Sequence, residues 1–191
     1  MATITHWYDL TCPFCYIAQS RNAVLLARGV SLDELPFQAH PEIPVEGMFV
    51  GARSGAMYDM LAAEAEQAQL PLSWPDRLPN SRRALAAAEW VRTNHKERFV
   101  EYQKALFAAH FARHENLGDD AVLLSHARAC HIDDAALKLA METQTPLDAV
   151  SRAEADAQYH GVRGTPAWLV EGRLLQGLRP VEEFERIAAS A

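Results

Sequence analysis

Cys12-Pro13-Phe14-Cys15 is the stretch on which the reading of this chain turns. A short apolar run, Ile4-Thr5-His6-Trp7-Tyr8, precedes it, and a run of helical character, Tyr16 to Ala27, follows it. Two cysteines three positions apart share one helical face, with Cα atoms roughly 5–6 Å apart, inside the window for a disulfide. A helix N-terminus beside Cys12 supplies partial positive charge and free N–H groups, which favour thiolate over thiol. Pro13 suits the first helical turn, where its missing N–H costs nothing. A dithiol at a strand-to-helix junction points to redox chemistry, with metal binding as the rival.

The rest of the composition narrows that choice. The chain has 191 residues and 49% apolar residues, enough for a sizeable core. Its net charge is −7 with Lys and Arg scattered, so there is no electrostatic case for nucleic acid. Three cysteines are too few for a secreted disulfide scaffold. The opening Met-Ala-Thr-Ile-Thr-His has no basic and apolar leader pattern, and no apolar run reaches the ~20 residues of a membrane span. A cytoplasmic protein is expected, and in a reducing compartment a C-x-x-C pair is more often catalytic or metal-binding than structural.

Working outward, residues 3–8 read as a strand, 13–28 as a helix ended by Gly29, and Leu35 to Ala39 as a second strand. Residues 45–55 read as a loop. From there to Gly161 the pattern is helical, with helices expected at 56–69, 81–95, 97–113, 119–130, 133–143 and 146–160. Phe99, Tyr102, Leu106 and Phe107 form a buried stripe on one of them. Ser81, Asp119 and Asp133 are the expected caps, Gly118 a helix stop, and Pro146 a first-turn proline. Ala167 to Val170 and Leu174 to Gln176 read as a hairpin turning at Glu171-Gly172-Arg173, with a last helix over 180–189. A helical block of this length cannot be a loop. The expected organisation is an α/β domain made of residues 1–44 and 161–191, interrupted by a helical insertion domain over 45–160.

Gly161-Val162-Arg163-Gly164-Thr165-Pro166 stands before the hairpin. A cis bond at Pro166 would aim the Thr165 backbone at whatever approaches the dithiol, and Gly164 permits the backbone leading in. With Trp7-Tyr8-Asp9, Cys15-Tyr16-Ile17-Ala18, Pro36-Phe37, His40-Pro41-Glu42 and Leu78-Pro79-Asn80-Ser81-Arg82-Arg83-Ala84, these stretches span nearly the whole chain. Together they resemble the DsbA-like branch of the thioredoxin superfamily, within it the FrnE-like and 2-hydroxychromene-2-carboxylate isomerase-like group. The resemblance implies a thioredoxin fold with a helical insertion packed over the dithiol. It implies Cys12 as the attacking cysteine, Cys15 as the resolving one and Pro166 as the cis-proline. Thr165 would pair through its backbone with substrate, Pro13 and Phe14 would line the substrate side, and Asn80 would lie near the site.

Two residues depart from the family pattern. A buried acid often stands about six positions before the first cysteine; here that position is His6. A histidine often stands between the cysteines of strong oxidants; here the place is taken by Phe14, which donates no hydrogen bond. The expectation is a Cys12 thiol below its free value and a disulfide of only moderate oxidising strength.

Other candidates read more plainly. Zinc needs four ligands, and no second C-x-x-C follows; His110 and His114 have ligand spacing but read as ordinary histidines on a helix face. Cys130, with His126 and His131 near it, reads as a buried small apolar residue. Asp9, His40 and His160 read as turn or strand-end residues near the site, and Trp74 as a candidate cleft wall. No metal or resident cofactor is expected, with glutathione as the candidate co-substrate. The partners expected are disulfides or dithiols, and the chain is compatible with monomer or homodimer.

The activity expected is thiol–disulfide exchange through Cys12 and Cys15. The alternative is a glutathione-dependent isomerase or transferase, in which glutathione lies beside Thr165-Pro166 and the insertion holds an aromatic substrate. Isomerase-like members of the family carry serine at the position of Cys12, so both retained thiols speak against it. A binding module with an idle dithiol is the third reading.

Overall fold

The computed structural model describes residues 3–190. Met1, Ala2 and Ala191, assigned above to the α/β part, lie outside the described residues. The first strand, β1 (Thr3–Tyr8), runs into helix α1 (Pro13–Ala27), which has Cys12 at its N-cap and Pro13 at its first position. Gly29, at φ 76°, releases the chain into β2 (Ser31–Pro36), which pairs parallel to β1.

The second strand starts earlier than its apolar residues suggest. Full register with β1, from Thr3↔Ser31 to Tyr8↔Pro36, satisfies its backbone, although it buries Glu34. Past Phe37 the backbone finds other partners. Gln38 N–H donates to the Glu154 carboxylate (3.1 Å) and Ala39 N–H to the Asp9 carboxylate (2.8 Å), so residues 37–39 are not strand.

The segment read as a loop over 45–55 contains β3 (Met48–Phe49), paired antiparallel with β4 (Arg77–Leu78). Helices α2 (Ala56–Gln67), α3 (Arg82–Asn94), α4 (Lys96–Arg113), α5 (Asp120–Ala129), α6 (Asp134–Met141) and α7 (Thr145–Tyr159) lie within a residue or two of the positions expected. Asp119 and Asp133 cap α5 and α6 by accepting from the N–H groups of Ala121 and Ala136.

Two helix ends differ from expectation. The Ser81 hydroxyl does not cap α3; it donates to Asp9 at 3.1 Å, and the Asn80 side-chain amide oxygen accepts the Arg82 N–H instead. Helix α4 ends at Arg113, as expected, but the residue that stops it is His114, in the left-handed conformation at φ 57°, rather than Gly118. The Glu115 N–H then closes back on the Ala109 carbonyl.

The chain returns as β5 (Ala167–Val170) and β6 (Arg173–Gln176), with Arg173 inside the strand opposite Val170 and the turn reduced to Glu171-Gly172. Helix α8 (Val181–Ser190) closes the described chain. The sheet order is β2-β1-β5-β6, with β1 parallel to β2 and the other pairings antiparallel. Sheet and helices form a mixed α/β thioredoxin fold.

The main core does not stop at the expected boundary between the α/β part and the helical block. Tyr8, Leu10, Cys15 and Tyr16 share one cluster with Leu85, Val91, Phe99, Phe107 and Leu123. The Tyr16 ring stacks on Phe111 with centroids 4.9 Å apart, and its hydroxyl donates to the Pro71 carbonyl at 2.7 Å. Phe99, Tyr102, Leu106 and Phe107 are all buried, as the stripe requires. A second cluster on the same face of the sheet gathers Ile4, Leu25, Trp168 and Phe184 beneath α1 and α8, and the opposite face buries Trp7 and Ala167 with Ala157 and Val162.

Candidate active site

Asp9 builds the turn that delivers the dithiol. Its carboxylate is fully buried and accepts four hydrogen bonds, from the Thr11 N–H and hydroxyl, the Ala39 N–H and the Ser81 hydroxyl. Burial raises the carboxyl above its usual range, while the bonds from Thr11, Ala39 and Ser81 pull it back down. The Asp9 carbonyl also receives the Cys12 N–H at 3.2 Å. A residue that reads as a turn former thus organises the site from beneath.

Cys12 and Cys15 then sit in unlike surroundings. The Cys12 sulfur contacts the Thr165 carbonyl at 3.4 Å across 153 positions of chain. The Cys15 thiol beside it holds the Cys12 thiol below its ordinary value; Thr165 and the Cys15 N–H act the same way, against burial and the Asp9 charge. Burial pushes the Cys15 thiol well above its ordinary value, and the neighbouring Cys12 adds to that. One thiol is therefore set up to ionise first and the other to hold its proton.

Thr165 faces Cys12 from the opposite wall, and the Thr165–Pro166 peptide bond is cis. The Pro166 carbonyl is held by the Gly177 N–H at 2.8 Å, which fixes the loop to the end of β6. The Thr165 hydroxyl is buried with no hydrogen-bond partner among the described residues.

A cavity of about 420 Å³ opens above Cys12, Pro13 and Phe14. Met57, Tyr58, Trp74, Leu78 and Phe111 give it an apolar wall, and Arg53, His110 and Arg163 contribute polar groups. Trp74 is held in that wall by local bonding: the Ser73 N–H donates to the Phe111 carbonyl, and Tyr58 meets Trp74 edge-on at 5.0 Å. The cleft-wall reading of Trp74 matches this position.

Asn80 does not reach the cavity. Its amide is consumed by the Ile43 carbonyl, Gln38 and the Arg82 N–H, so it fastens the 38–43 loop to the start of α3. His114 bonds Ser73 at 2.7 Å, while His110, one turn earlier, is buried and lines the cavity. Spacing alone treats these two histidines alike; the packing of α4 over α1 separates them. His40 lines the rim, and His160 packs near Trp7 with ring centroids 5.8 Å apart. Cys130 is buried at the C-cap of α5. Among the described residues, no group of three or more His, Cys, Asp or Glu is arranged to hold a metal, and no helix is long and apolar enough to cross a membrane.

His6 has a partner that sequence reading misses. Glu34 lies opposite it in β2, and its carboxylate meets His6 Nδ1 at 3.0 Å, Asn22 at 2.9 Å and Gln103 at 3.4 Å. Asn22 in turn accepts from the Trp168 indole at 2.9 Å. The buried carboxylate absent from position 6 thus stands on the adjacent strand. The signal was the acidic pair Asp33-Glu34 inside a strand-length run, which reads as a strand only once the register with β1 is known.

The model of the DsbA-like thioredoxin domain matches residues 3–188. The chain belongs to this family. Solved structures of the same fold include a probable DsbA oxidoreductase of Streptomyces coelicolor, 20% identical, covering 98% of this chain and 88% of that one with a TM-score of 0.84. A 2-hydroxychromene-2-carboxylate isomerase is 14% identical over 99% of this chain and 94% of that one, with a TM-score of 0.79. The cytosolic disulfide reductase DsbM of Pseudomonas aeruginosa, solved with glutathione, is 16% identical over 99% and 96%, with a TM-score of 0.69. At these identities the likeness establishes the fold, and it places this DsbA-like chain among relatives that include both oxidoreductases and an isomerase.

Proposed function

We propose that the protein is a thiol–disulfide oxidoreductase working through Cys12 and Cys15. The observation that carries this reading is geometric: Cys12 stands at the N-cap of α1 and faces the Thr165 carbonyl at 3.4 Å, while Cys15, three positions on, is buried in the core, in keeping with the lowered Cys12 and raised Cys15 thiols. Cys12 thiolate attacks a substrate disulfide and forms a mixed disulfide, releasing one substrate thiolate. Cys15, once deprotonated, attacks the Cys12 sulfur, and the second substrate thiolate leaves. The Thr165 hydroxyl, unpartnered in the resting site, is a donor for the Cys12 thiolate. A reducing compartment, the placement expected from the sequence, would run the exchange towards substrate reduction, with glutathione as the co-substrate that restores the dithiol.

The cavity supports a second reading, a glutathione-dependent isomerase or transferase, because its apolar wall beside Cys12 and Thr165 can hold a small aromatic molecule. The variant Cys15→Ala separates the two. Exchange predicts that it accumulates a mixed disulfide at Cys12, visible by mass spectrometry, and loses turnover. Isomerase activity that survives Cys15→Ala intact, with no trapped adduct, would favour the second reading.

A further inference from the structure

The charge of the cavity does not match the charge of the chain. The protein carries a net −7, yet no Asp or Glu is among the described side chains lining the cavity, whose ionic groups are Arg53 and Arg163. His40 stands at the rim, and burial pushes His110 down to about 4, so His110 is neutral at pH 7.

Arg53 is the unusual group. Like Arg163, it makes no ion pair with any described residue, whereas nine other arginines do. One guanidinium nitrogen donates to the Tyr58 hydroxyl at 3.2 Å, and the Tyr58 ring lies 5.9 Å from the guanidinium carbon. Its Nε is buried with no hydrogen-bond partner. A buried guanidinium donor left unsatisfied is costly, and a carboxylate is the ligand that matches its planar fork. Arg53 and Cys12 line the same cavity, and Trp74, Phe111 and Phe14 give that lining its aromatic surface.

We infer that Arg53 anchors the anion of a small aromatic carboxylate-bearing disulfide, and so sets the substrate class of the exchange proposed above, on which this inference rests. The cavity volume suits one aryl ring with its carboxylate. In this binding mode the carboxylate sits on Arg53, the ring against the aromatic lining and the disulfide at Cys12, all three within the one cavity. Cys12 thiolate attacks one sulfur, the S–S bond breaks, and one arylthiolate leaves. Cys15 loses its proton to solvent and attacks the Cys12 sulfur, expelling the second arylthiolate. Both electrons pass from the dithiol to the diaryl disulfide, and the protein ends with a Cys12–Cys15 disulfide.

The test compares two chromogenic aromatic disulfides, the anionic dithiobis(nitrobenzoate) and the neutral dithiodipyridine, reacting with prereduced full-length protein under stopped flow. The readout is the ratio of the two rate constants, which cancels differences in thiol reactivity between variants. Arg53→Gln is expected to lower the anionic-to-neutral ratio about tenfold, the low end for a lost charge-assisted bond. Arg53→Lys, which keeps the charge and loses the fork, should fall between the two. A ratio unmoved by Arg53→Gln, with both probes reacting, would overturn the Arg53 assignment alone. Failure of both probes to oxidise the wild-type dithiol would instead overturn the exchange reading beneath it.

Discussion

Cys12 and Cys15 differ because a few neighbours treat them differently. Cys12 ends a turn fixed by Asp9 and meets Thr165, while Cys15 points into the core beside Tyr16. His110 makes a testable contrast to them. It is lowered from 6.5 to about 4, by burial first and then by the charges of His114 and Arg53. As pH falls below 6.5 the unfolded chain binds this proton before the folded one does. Stability from this group is therefore complete above pH 6.5, is lost between 6.5 and about 4, and falls no further below that. The loss over that window is about 3 kcal/mol. Urea unfolding at pH 7 and pH 4.5 should show this drop in the wild type and a flatter response in His110→Gln. Equal drops in both would contradict it.

At the scale of elements, those with strong local signals were legible from the sequence. The periodicity of α4, the aspartate caps of α5 and α6 and the apolar run of β5 all form where they read. The parts that escaped depend on long-range pairing. The strand β2 begins at Ser31 because β1 is there to pair with it, and Glu34 is tolerated because His6, Asn22 and Gln103 meet it. The ribbon β3–β4 is too short to announce itself, yet it carries Leu78 to the cavity wall. Gly47 is what allows it. Its φ is +76°, and a Cβ there would lie 2.9 Å from the Leu78 carbonyl oxygen and 3.2 Å from the Pro79 Cα, backbone atoms that cannot turn aside. Gly47→Ala should destabilise the protein by about 1–3 kcal/mol. Gly51→Ala, where a Cβ meets open space, should stay within about 0.5 kcal/mol. Thermal unfolding of the two variants side by side checks this, and similar midpoints would show the ribbon to be dispensable.

Taken whole, the molecule is a thioredoxin-type sheet whose dithiol end is roofed by helices from the long middle segment. The candidate site was half legible. Cys12, Cys15 and the Thr165-Pro166 wall stand out as motifs, since their chemistry is local to a few residues. Of the roof only Trp74 reads as a cleft wall; Arg53 and His110 do not, because they come from separate stretches and meet it only after α2, β4 and α4 pack together. Asn80 shows the converse: a motif residue near the site in sequence terms, spent in the fold on tying a loop to α3. The roof shares its core with the dithiol helix through Tyr16, Phe107 and Phe111, so the two are packed as one unit.

The central claim is that Cys12 and Cys15 cycle between dithiol and disulfide. Equilibrating the purified protein across reduced-to-oxidised glutathione ratios, trapping free thiols with an alkylating agent and weighing the products tests it most directly. The account predicts that Cys12 and Cys15 lose their alkylatable thiols together along a single reversible curve, while buried Cys130 stays unchanged. A protein in which no glutathione ratio joins Cys12 to Cys15 would contradict it.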